Sequence, residues 1–188
     1  MEWAIPLQKL EVGKVQIGEA QHNEKTIVPL AYFDGQNTFP NLNILLPILK
    51  VKEFEYNSGK LLLNIKDQPH HEAKLNALQS TLLGAVFIQQ HYWFPGFNYS
   101  LESLHTLFKP MIENGYLNLY FPALRPENTI KIYKNNKWYS KYEPGLLKEG
   151  DSVRLMFRIQ GLCFHKNNSY QWTGKFRLQH RIYAILIN

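Results

Sequence analysis

The chain has 188 residues, 45% of them hydrophobic and 19% charged, with a formal net charge of +6. That length and balance suffice to bury a core without crosslinks and exclude a disordered chain. Its one cysteine, Cys163, excludes an intramolecular disulfide framework and gives no basis for a thiolate zinc cluster, so one domain over 1–188 in a reducing, intracellular compartment is expected.

The opening MEWAIPLQKLEVG has neither a basic leader nor a continuous apolar stretch, so no signal peptide is expected. KVQIGEA (14–20) and TIVPLAYF (26–33) flank the polar QHNEK and predict a hairpin. DGQNTFPN (34–41) reads as a turn-rich loop. LNILLPILKVKEFEY (42–56) is extended and apolar, with Pro47 calling for an edge position or a bulge. NSG then turns into the strand KLLLNIKD (60–67). None of these apolar runs is long enough for a bilayer, and no membrane contact is expected.

The period changes after Gln68-Pro69. Leu75, Leu78, Leu82, Ala85 and Val86 recur at helical spacing and predict the main helix over about 70–90. An aromatic loop, HYWFPGFNY (91–99), precedes a short second helix over 101–108, capped by Ser100 and limited by Pro110. Strands return at 116–124, 128–134 and 137–142. After the PGLLKEGD turn, two long strands close the chain at 152–165 and 173–187. The expected class is mainly β, a barrel or a sandwich with helices between strand groups.

Charge is unevenly spread. Residues 1–124 carry 9 Lys/Arg against 11 Asp/Glu, and residues 125–188 carry 12 against 4, so the last third holds a surplus of +8. Within it, KIYKNNKWYSKYEPG (131–145) alternates Lys134, Lys137 and Lys141 with Tyr133, Trp138, Tyr139 and Tyr142. Side chains alternate sides along a strand. Arg154, Met156 and Arg158 therefore oppose Val153, Leu155, Phe157 and Ile159. Lys175, Arg177, Gln179, Arg181 and Tyr183 oppose Phe176, Leu178, His180, Ile182, Ala184 and Leu186. Paired as a hairpin, the two strands would merge their arginine sides. Cations beside flat rings are what single-stranded nucleic acid requires: charge follows the phosphates and rings stack on the bases. The competing reading is a set of strand aromatics packed on a core beside a solvated basic face.

LLKEGDSVRLMFRIQGLCF followed by WTGKFRLQHRIYAILI resembles the C-terminal part of single-stranded DNA-binding proteins of large eukaryotic DNA viruses and related elements. That group is similar in turn to the phage T7 single-stranded DNA-binding protein. The matching positions are Gly150, Asp151, Gly161, Phe164, Trp172, Lys175 and Phe176. The resemblance implies an OB-fold-like β-barrel that coats unwound DNA in replication, recombination or repair. It also implies a host cytoplasmic or nuclear location, and a DNA polymerase or other replication protein as a further partner beside self-association. The chain shows no acidic run after AILIN, so recruitment through an acidic tail, as in the phage protein, is not expected.

No catalytic chemistry assembles from the motifs. His70, His71 and Glu72 are adjacent and diverge on a helix, Cys163 and His165 make only two ligands, and neither a Walker-type loop nor a GxGxxG stretch occurs. The chain is read as a non-enzyme without metal or cofactor. Expected phosphate contacts are Lys134, Lys137, Lys141, Arg154, Arg158, Lys175, Arg177 and Arg181. Tyr133, Trp138, Tyr139 and Trp172 are the expected stacking rings. The alternative is a β-sandwich viral structural protein, a capsid or assembly subunit.

Overall fold

The computed structural model describes residues 3–122 and 130–188 and is mainly β, with one long and one short helix. β1 (Val15–Ile17) and β2 (Thr26–Phe33) form the opening antiparallel hairpin. The extended run over 42–56 is cut into β3 (Leu42–Leu45) and β4 (Leu49–Glu55) at Leu46-Pro47-Ile48, because proline brings no N–H to a ladder. β5 (Lys60–Asn64) pairs with β4. Helix α1 (Pro69–Trp93) begins at a proline, whose missing N–H costs nothing in a first turn, and buries Leu75, Leu78, Leu82, Leu83 and Val86. Helix α2 (Leu101–Leu107) is capped by Ser100, whose Oγ accepts from the Ser103 N–H at 3.1 Å.

Strand β6 (Tyr116–Tyr120) pairs with β5, and β7 (Lys131–Lys134) with β8 (Lys137–Tyr139). The ends expected at 123–124 and 128–129 lie outside the described residues. β9 (Ser152–Lys166) and β10 (Trp172–Ile187) form the long closing hairpin. Its loop is held by the Asn167 side chain, which accepts from the Ser169 and Gln171 amides at 3.0 and 2.9 Å.

The sheet order is β6-β5-β4-β9-β10-β7-β8. β9 is its spine: β10 runs along one edge, while β2, β3 and β4 share the other in succession. Hydrogen bonding between strands does not close this sheet into a barrel among the described residues. Between β6 and β10 the seam is crossed by a side chain, where the Tyr120 N–H donates to His180 Nε2 at 2.8 Å.

One hydrophobic cluster joins the inner side of the sheet to α1. Among the register shifts of the sheet, two in the closing hairpin set which of its residues reach this cluster. Gln160 is an extra residue in β9, and the following Gly161 lies so close to β2 that a Cβ there would collide with the Val28 carbonyl oxygen. Tyr183 is extra in β10, between the Phe157–Ile182 and Met156–Ala184 pairs. This second bulge overturns the alternation expected at the C-terminal end. Ile185 and Ile187 are buried, and Ala184 and Leu186 join the arginine side.

Candidate nucleic-acid interface

Residues paired in register project from the same side of a sheet, so the ladder specifies which side chains meet. On the outer side of the closing hairpin Arg154 pairs with Leu186, Met156 with Ala184, Arg158 with Arg181, and Cys163 with Arg177. Across the next ladder Tyr133 pairs with Leu186, and Tyr133 with Trp138 in turn. Arg154, Arg158, Arg177 and Arg181 thus share one side with Tyr133 and Trp138. Lys175 is exposed two residues before Arg177, in the same phase.

Neighbouring groups orient these arginines. Arg154 Nε donates at 3.3 Å to the Leu46 carbonyl, beside the break that Pro47 makes between β3 and β4. Arg158 Nε donates at 2.9 Å to Asn43 Oδ1. The guanidinium carbons of Arg158 and Arg181 lie 4.6 and 5.4 Å from the centre of the Tyr183 ring. Two like charges directly opposite on a ladder repel. Here the bulged tyrosine offers both a π face.

Beyond them lies a hollow of about 400 Å³, lined by Tyr133, Trp138, Arg154, Met156, Ala184 and Leu186 among others. Trp138 is 64% exposed, and its ring centre lies 4.9 Å from that of Tyr133. Tyr133 is half-buried, with its hydroxyl donating to Asn136 Oδ1 at 3.2 Å. A flat ring above an aliphatic floor with a guanidinium at the rim fits a planar, anionic-backbone ligand.

At the opposite end the outer side is strongly cationic. The His165 imidazole is held below its ordinary value by burial first, then by Arg177, Lys25, Lys175 and Lys109. Lys109 is placed there by the parallel pairing of Phe108–Lys109 with Phe176–Arg177. Sequence reasoning missed Lys25, Lys109 and Tyr183 as site residues. The two lysines carry no local signal, since only the pairing of distant segments brings them to Arg177. Tyr183 was assigned the arginine side by alternation, but its contact with both arginines depends on the bulge.

Several expected contacts do not belong to this side. Trp172 is 3% exposed within the core, stacked on Phe94 at 4.5 Å, and its Nε1 donates to the Lys175 carbonyl at 3.0 Å; it is a packing ring, not a stacking platform. Lys134 pairs in register with the buried Ile187 and projects inward, donating to the Leu146 carbonyl at 2.6 Å and to Asp151 Oδ2 at 3.4 Å. That tie spends its charge inside the molecule. Tyr139 pairs with the buried Ile132 and packs on the core, with Lys137 Nζ 4.8 Å from its ring centre. Lys137 pairs with Lys134 and so lies on the side away from Trp138. Lys141 is exposed in the segment after β8.

The residues that carry the family resemblance are mostly architectural. Gly150 takes a positive φ of 88° in the turn that Asp151 closes by accepting from the Lys148 amide at 3.1 Å. Phe164, Trp172 and Phe176 are core. Compared with known proteins, the chain matches no family profile and no curated sequence.

Among the described residues no group of three or more His, Cys, Asp or Glu side chains is placed to hold a metal ion. Cys163 is buried. No helix among them is long and apolar enough to cross a membrane.

Proposed function

We propose that this chain is a non-enzymatic single-stranded DNA-binding protein that coats unwound DNA without sequence preference. The observation that carries the reading is the shared outer side of β9 and β10. Arg154, Arg158 and Arg181 stand there in line with Tyr183, and the line ends at the exposed Trp138 over its apolar hollow. Phosphates would follow the guanidinium groups while a base enters the hollow against Trp138. Stacking of that kind contributes roughly 1–3 kcal/mol per base for any base.

We also read the sheet as an OB-type barrel that is open at one seam. Supporting this, the β6–β10 gap is narrow enough for His180 to accept a backbone hydrogen bond across it. DNA as the strand chemistry, a role in replication, recombination or repair, and a polymerase as a further partner rest on the resemblance alone. The competing reading as a structural subunit draws on the exposed Phe87, Ile88 and Tyr92 of α1.

A fluorescence titration with oligo-dT at two salt concentrations tests the proposal. Emission from Trp138 should quench on binding and recover as salt rises, with log K falling by roughly 0.7 per neutralised phosphate for each decade of salt. Equal affinity for duplex and single strands would overturn it. A closed oligomer indifferent to DNA in analytical ultracentrifugation would favour the structural subunit.

A further inference from the structure

A groove of about 770 Å³ lies along the unclosed seam, apart from the Trp138 hollow. Its cations are Lys25, Lys60, Lys109, Arg177 and Arg181, and Glu55 is the one acid among its lining residues. Lys60 is matched by Glu53, with Nζ–Oε distances of 2.9 and 3.0 Å. That leaves the cationic surplus on the β10 wall and at Lys25 and Lys109. Such a volume falls within the range of small-molecule sites.

The polar atoms of this wall are incompletely satisfied. Arg177 Nε and Gln179 Oε1 are buried, and neither finds a hydrogen-bond partner among the described residues. Gln179 is held by its other end, Nε2 donating to Gln160 Oε1 at 3.1 Å. A buried guanidinium nitrogen without an acceptor is unfavourable, the more so because the group is charged, unless something supplies the acceptor. His180 lines the same groove as a neutral ring: its Nε2 accepts from Tyr120, and burial pushes it down to about 4.

We infer that the groove is a phosphate site for a nucleotide, centred on Arg177 and flanked by Arg181, Lys25 and Lys109. The assignment rests on the single-stranded DNA reading for its ligand class, but it concerns different residues from the Trp138 hollow. A phosphate oxygen supplies the acceptor that Arg177 Nε lacks, and a guanidinium with lysines on either side is suited to a compact anion. The nucleotide can be an internal unit of the bound strand or a 5′-phosphorylated end. Both present the same oxygens.

The test follows His180 by imidazole NMR, as a reporter in the groove, and Trp138 by fluorescence, as a reporter in the hollow. Full-length protein is titrated with thymidine, with thymidine 5′-monophosphate, and with oligo-dT carrying either a 5′-hydroxyl or a 5′-phosphate. The expected result is that the monophosphate shifts the His180 signals and thymidine does not. Arg177→Ala should weaken the ligand that shifts His180 about tenfold, and Lys109→Ala should act in the same direction. Equal shifts from the two oligonucleotides assign an internal phosphodiester, and a response confined to the 5′-phosphorylated one assigns the strand end. Thermal unfolding of Arg177→Ala serves as the folding control, and Lys109→Ala, at an exposed residue, gives an independent reading should that variant unfold. If oligo-dT quenches Trp138 while His180 stays still and both variants bind normally, the groove inference is wrong and the DNA reading stands. If the monophosphate shifts His180 but oligo-dT leaves Trp138 unquenched, the groove site stands and the coating role fails.

Discussion

Two tryptophans near opposite ends of β10 looked alike in the sequence, each beside lysines and other rings. Trp172 begins the strand and is sealed among Phe94, Phe97, Tyr99, Phe164 and Phe176. Trp138 lies over the strand's far end and keeps 64% of its surface in solvent. The contrast comes from what each ladder places behind the ring. At the first end the aromatic loop after α1 covers the sheet. At the other, the short β7–β8 hairpin is the sheet's edge, and Trp138 packs beside Tyr133 with most of its ring in solvent. An aromatic beside basic residues is therefore only half a signal, and the covering element decides its role.

The contrast breaks most visibly under truncation. Trp172→Ala should cost about 3–5 kcal/mol in urea denaturation, the range for emptying an aromatic-sized volume in a core. A loss under 1 kcal/mol would mean that the ring is not the packing centre described.

Next in size is the middle of the strand, between the two rings. His180 is held neutral, with its value lowered from 6.5 to about 4 by burial. The unfolded chain then binds the extra proton between those values, so stability is complete above pH 6.5 and falls as pH drops toward 4. The total loss is about 3 kcal/mol. Midpoints of thermal unfolding measured across that window should show this fall, and His180→Gln should flatten it.

At the exposed end, Trp138→Ala should change stability by no more than about 0.5 kcal/mol while weakening oligo-dT by about 1–3 kcal/mol. Equal losses in both measurements would make Trp138 a structural ring like Trp172. The smallest effect concerns the rim of the hollow. Arg154→Ala should lower the slope of log K against log salt by about 0.7, with every sequence weakened alike.

Much of the architecture was legible because it follows from local rules. The helical period of Leu75, Leu78, Leu82 and Val86 marked α1, and Ser100 marked the start of α2, whereas Pro47 signalled an irregularity in the run 42–56 but not its division into β3 and β4. Alternation in β9 correctly separated Arg154 and Arg158 from Val153, Leu155, Phe157 and Ile159. It failed in β10 past Tyr183, because a bulge reverses the phase and no residue type announces one there. Lys134 misled for another reason: its charge is answered by Asp151, which sits 17 residues away in sequence but 3.4 Å away in space.

The amino-acid order alone was sufficient for the strand-rich class, the two helices, and a closing hairpin with one apolar and one arginine-bearing side. These depend on periodicity and on backbone chemistry within a few residues. Tertiary structure decided the membership of the cationic surface: it brought Lys25 and Lys109 to Arg177, and hid Trp172, Lys134 and Tyr139 from it. The reason is physical. A side chain's partners across a sheet are set by register and bulges between segments far apart in the chain, and neither is written in the local pattern that selects each strand.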